Sequence, residues 1–87
     1  MYWTYRILAD LEEELAFALR REQTASVVAR EIMERYGVFV KVQLKDLGVE
    51  ELTAALKKHD FGRSVLCTPP GQAFLADLHT ELTVLCR

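Results

Sequence analysis

Eighty-seven residues, 51% of them hydrophobic and 28% charged, are enough for one globular core and too few for two, so residues 1–87 are read as a single domain. The formal charge of −2 neither demands nor forbids a nucleic-acid partner: residues 10–36 carry seven acids and four bases, residues 37–63 four acids and five bases, and a local basic face suffices for phosphate. No apolar run approaches the length of a membrane span, and MYWTYRILADLEEE lacks the basic and apolar regions of a secretion signal, which predicts a cytoplasmic chain with no membrane partner.

In chain order, YWTYRILA at residues 2–9 is rich in aromatic and β-branched side chains, and Trp3, Tyr5 and Ile7 alternate, which predicts a first strand. Asp10 followed by Glu13 has the spacing of a capping box. Leu11, Leu15 and Leu19 then supply a helical stripe that fails at RREQ, residues 20–23. An unbroken helix over residues 10–36 would run roughly 40 Å at 1.5 Å per residue, longer than so small a domain is wide, so a break is expected near residues 22–24. Thr24 or Ser26 caps the restart, and Val28, Ile32 and Tyr36 carry helical spacing to Gly37.

VFVKVQLK at 38–45 alternates cleanly, with Val38, Val40, Val42 and Leu44 on one side and Phe39, Lys41, Gln43 and Lys45 on the other. It reads as a half-buried strand. Leu52, Ala55 and Leu56 mark a short helix ending by Gly62, and RSVLCT at 63–68 reads as a further strand stopped by Pro69, Pro70 and Gly71. Phe74, Leu75, Leu78 and Leu82 place a last helix, whose end at TELTVLCR has either helix or strand character. The expected fold class is therefore α/β, or α+β: a small two-layer sandwich in which a mixed sheet of three or four strands carries helices on one face.

Little in this chain resembles catalytic machinery. Cys67 precedes a Pro-Pro-Gly turn into a helix, where a dipole can lower a thiol pKa, yet no motif brings His59 or His79 to it as a base, and its strand-like setting reads as a buried thiol. His59, Cys67, His79 and Cys86 are separated by 8, 12 and 7 positions, without the close ligand pairs of structural zinc sites, so neither metal nor disulfide framework is expected. Glu12, Glu13 and Glu14 are consecutive and point in different directions around a helix, unlike an acid and base pair. Pro-Pro-Gly has neither the glycine spacing nor the following Lys-Ser/Thr of a phosphate loop. No catalytic residue, cofactor or metal is assigned, and the chain is not read as an enzyme.

Positive charge concentrates at Lys57, Lys58 and Arg63. There RSVLCTPPGQAFLADL resembles the wing-to-helix segment of MarR-type winged-helix regulators, in which R-S-V-L leads through T-P-x-G into a helix rich in leucine and alanine. That resemblance implies a DNA-binding transcriptional regulator with Arg63 as the wing residue laid against the DNA, and Lys57 and Lys58 on the same face. The match covers about a fifth of the chain, and EELTAALKK offers mainly apolar residues and two acids where a recognition helix would present polar side chains to bases.

The favoured expectation is a small non-enzymatic binding protein working through protein contacts, an adaptor, an oligomeric regulator or an inhibitor of the kind phages carry. Its partner would be another protein or a second copy of itself. Aromatics beside charge mark the candidate contact residues, Trp3, Tyr5, Phe39 and Lys41. Nucleic acid at Lys57, Lys58 and Arg63 is the alternative.

Overall fold

Helices account for every regular element among the described residues. The structure, a computed structural model, describes residues 5–37 and 48–85. Four α-helices follow one another: α1 (Tyr5–Arg20), α2 (Ala25–Tyr36), α3 (Val49–Lys58) and α4 (Pro69–Leu85), with a single 3₁₀ turn at Val65–Cys67. The expected α/β sandwich is thus overturned, since no strand or sheet occurs among these residues. The strand expected at 38–45 lies outside them.

Two of the expected strands are replaced by helical structure, each for a visible reason. At residues 5–9 the alternation of aromatics competes with a second pattern: Leu8, Leu11, Leu15 and Ala18 recur at three, four and three positions, and all four are buried. Each fully buried leucine is worth about 1.5–3 kcal/mol. Extending the helix backward to bury Leu8 therefore outweighs the β preference of the aromatics, and Asp10 and Glu13 become surface positions within α1 instead of a capping box. At residues 63–68, Ser64 and Thr68 tie the backbone into a turn too short to pair as a strand. Ser64 Oγ accepts from the Leu66 N–H at 3.1 Å, and the Thr68 N–H bonds back to the Val65 carbonyl. Leu66 alone of the three turn residues is fully buried.

Two of the helix ends use stop chemistry without glycine. After α1, Glu22 adopts a left-handed conformation (φ 57°), its N–H bonds the Leu19 carbonyl, and the Gln23 N–H bonds the Ala18 carbonyl. After α3, Asp60 (φ 68°) repeats the pattern: Asp60 N–H to Lys57 and Phe61 N–H to Leu56. These paired bonds satisfy carbonyls that a helix end leaves open. The break expected near 22–24 is present, and α2 ends at Gly37 with a positive φ of 47°.

Thr68-Pro-Pro-Gly is the start of α4, not a break before it. The Thr68 hydroxyl accepts from the Gly71 N–H at 3.4 Å, the Thr68 carbonyl accepts from Gln72, and the prolines fill positions whose N–H groups a helix would leave free. Gly71 is buried, and a Cβ there would lie 2.2 Å from the Val65 carbonyl oxygen and 2.5 Å from the Leu66 Cα. Glycine is required because α4 begins in direct contact with the 3₁₀ turn. Gln72 fastens this junction by donating from Nε2 to the Leu66 carbonyl at 2.8 Å and to the Thr53 hydroxyl of α3 at 3.1 Å.

The core gathers Leu8, Leu11 and Leu15 of α1, Val28 and Ile32 of α2, and Leu52 and Leu56 of α3 around Leu66. Phe74, Leu75, Leu78 and Leu82 of α4 complete it. α4 is the hub: α2 packs far more extensively on α4 than on α1. α1 and α2 make few close contacts with each other.

Candidate functional site

Between α1 and α2 lies an open groove of about 790 Å³. Helical spacing assigns its walls. Asp10, Glu13, Glu14 and Phe17 recur at three, one and three positions and share one face of α1, and Val28, Glu31 and Arg35 do the same on α2. Chain order then sets a gradient. Phe17, Ala18 and Val28 lie near the turn that joins the two helices, and Asp10, Glu13 and Tyr36 lie towards the far end.

The Phe17 side chain is half exposed (50%) although it belongs to a helix whose leucines are buried. The Arg21 guanidinium stands 5.2 Å from its ring centroid, a cation–π contact that covers part of the ring. The carboxylates are unequally placed. Glu14 Oε2 takes an ion pair from Arg35 Nη1 at 3.2 Å and faces the Tyr36 hydroxyl, which donates to it at 3.5 Å. Burial, reinforced by the neighbouring Glu14 and Asp10 charges, raises the Tyr36 phenol above its ordinary value despite the opposing Arg35. Asp10, Glu13 and Glu31 have no ion pair among the described residues. Four acids and two arginines line the groove, a net charge of −2.

Of the contact residues expected from sequence, Tyr5 alone is described, and Trp3, Phe39 and Lys41 lie outside the described residues. Tyr5 is 60% exposed, stacks on Phe61 with ring centroids 5.5 Å apart, and meets His59 at a tilt, 6.3 Å between centroids. Lys57, Lys58 and Arg63 are all exposed near that cluster, where the backbone at Gly62 passes against the Lys57 side chain. The sequence placed Tyr5 and these cations in separate sites; the fold gathers them at one end. Lys57 and Lys58 occupy the last turn of α3 opposite Glu50 and Glu51 in its first turn, the placement that suits a helix dipole. Residues 63–68 form no wing strand, so the structural element that the winged-helix resemblance implies is missing there.

Cys67 is half-buried in the 3₁₀ turn, not on a strand, and its thiol lies 3.7 Å from the Phe61 carbonyl. The adjacent helix start offers it no free amide, because the Gly71 N–H is taken by Thr68 and two prolines precede it. No group of three or more His, Cys, Asp or Glu side chains among the described residues is placed to share a metal. Cys86 is outside them. His79 of α4 has its Nε2 buried and unpaired and lines, with Leu52 of α3 and Leu75, Leu78 and Leu82 of α4, a cavity of about 10 Å³.

Phe17 and Glu31 escaped the sequence reading. The signal for Phe17 was present: in EEELAFALRRE it is the one aromatic off the leucine stripe and beside acids. Glu31 becomes notable only once α2 is folded back beside α1. No helix among the described residues is long and apolar enough to cross a membrane. No family model, curated protein or solved structure matches the chain.

Proposed function

We propose that this chain is a non-enzymatic binding domain that works through protein contact, with the α1–α2 groove as its contact surface. The observation that carries this reading is the half-exposed Phe17 ring set in a groove whose rim holds three acids without ionic partners among the described residues. Aromatic side chains are enriched at protein interfaces, where a few anchors carry most of the binding energy and charge lies towards the rim. Several polar side chains elsewhere have structural work: Glu12 accepts from Ser64 Oγ at 2.7 Å, and Gln72 and Thr53 bind each other and the backbone.

A photo-crosslinking phenylalanine analogue at position 17 tests the reading in the cell of origin. It should give a discrete adduct with one protein, absent when the analogue replaces the exposed Thr80 of α4. No adduct from position 17, or equal adducts from both positions, would remove the groove as the contact surface.

Nucleic acid at Lys57, Lys58 and Arg63 is a second reading, favoured by the exposure of these cations near the Tyr5 and Phe61 rings. A salt-sensitive shift of duplex DNA by sub-micromolar protein, abolished by Lys57→Ala with Arg63→Ala, would promote it over the first.

A further inference from the structure

Resting on the protein-contact reading, we infer that the occupant of the groove is a basic amphipathic helix supplied by another protein. Shape gives the first argument. A groove of about 790 Å³ has room for about two turns of a helix about 10 Å across. α2 packs mainly on α4 and little on α1, so a helix laid along the groove, over the Glu14–Arg35 ion pair that crosses it, would add contacts to both walls.

Charge gives the second. Asp10 and Glu13 lie one turn apart on α1, and Glu31 faces the groove from α2, all without ionic partners among the described residues. Phe17, half exposed over the buried Ala18 and Val28, is the apolar contact nearer the turn. The complementary ligand therefore carries a large apolar side chain at one end and Lys or Arg one to two turns along the same face. Arg20, near the turn, disfavours basic residues at the apolar end of that ligand. The same net negative charge repels the phosphates of nucleic acid from this surface.

The probe is a synthetic leucine–lysine helix with this spacing, titrated calorimetrically into the whole chain. Two controls accompany it: a peptide with Glu in place of each Lys, and a peptide of identical composition with the face scrambled. The basic helix should bind one to one, weaken as salt rises, and lose roughly tenfold or more with either Phe17→Ala or the paired change Glu13→Gln and Glu31→Gln. All three positions are exposed, and unchanged far-UV dichroism certifies the fold of each variant. Equal binding of the acidic or scrambled peptide overturns the proposal, as does no binding of the basic one. A concentration-dependent dimer abolished by Phe17→Ala also overturns it, with a second copy as the occupant. If the basic helix fails while position 17 still crosslinks a partner, the contact surface stands and the chemistry assigned to its occupant falls.

Discussion

The junction where α4 meets the 3₁₀ turn and the groove between α1 and α2 are opposites. At the junction, polar groups are answered within the chain: Thr68 caps Gly71, Gln72 holds the Leu66 carbonyl, and Ser64 spans from the Leu66 amide to Glu12 of α1. Backbones approach so closely that not even a methyl group fits at Gly71. The groove has the reverse character, with a half-exposed aromatic ring and three acids unmatched among the described residues. Interactions completed within the chain hold the fold. Those left incomplete are what a partner can complete, which is why the less conspicuous stretch of sequence carries the functional proposal.

The largest expected effect breaks the junction. Gly71→Ala forces a methyl group against the Val65 carbonyl and the Leu66 backbone, neither of which can rotate away, and should destabilise the fold by about 3 kcal/mol or more. Chemical denaturation measures it directly, and a loss under 1 kcal/mol would show that the junction is looser than described. Ser64→Ala comes next. It removes the cap of the 3₁₀ turn and leaves Glu12 without its hydroxyl donor, for a loss of about 1–2 kcal/mol. Glu12→Gln keeps an acceptor for Ser64 and should cost less than half as much by the same assay.

These sizes explain what could and could not be read from sequence. The leucine stripe of α1, the interruption before Thr24, the Val28–Ile32–Tyr36 spacing and the apolar positions of α4 were legible because each repeats with helical period within its own segment. Residues 5–9 fit an alternating and a helical period at once, and the short apolar run at 63–68 looks the same in a strand as in a turn. Leu8 decides the first by completing the α1 stripe, and the hydroxyls of Ser64 and Thr68 decide the second. Gly71 looked like a stop signal, since the backbone it must admit is distant information: the turn belongs to the preceding segment. The groove was illegible for a further reason. It exists because α2 prefers α4 to α1, a tertiary fact that no local pattern contains.

A smaller effect, and one of opposite sign, is expected at the turn that closes the groove. Glu22 holds a left-handed conformation (φ 57°) that glycine adopts without the steric cost borne by other residues. Glu22→Gly should raise stability by about 0.5–1 kcal/mol, a net figure after the added flexibility of the unfolded chain is subtracted. An equal loss of stability would mean that the Glu22 side chain makes a contribution its geometry does not show. Peptide affinity should stay within about twofold of the parent chain, because Glu22 does not line the groove.

The smallest effect appears only in alkali and separates the paired corner of the groove from its unpaired rim. Tyr36 is partly buried, and its hydroxyl donates to a carboxylate that already accepts from Arg35. Removal of the phenolic proton would strand a second negative charge beside Glu14, within reach of Asp10 as well, in a place where water solvates it poorly. That is why the phenol is raised above its ordinary value of 10.0 in the folded chain, burial being the first cause and Glu14 the next. The folded state therefore holds this proton more tightly than the unfolded state, so the contribution is complete below about pH 10 and is lost as pH rises through the higher folded value. Stability followed by denaturant titration should be flat with respect to Tyr36 at neutral pH and decline in strong alkali. Tyr36→Phe should remove that part of the decline while leaving Glu14 paired with Arg35. If Tyr36→Phe leaves the alkaline decline unchanged, the Glu14–Arg35–Tyr36 corner is as open to solvent as Asp10 and Glu13, and the division of the groove into a paired corner and an unpaired rim does not hold.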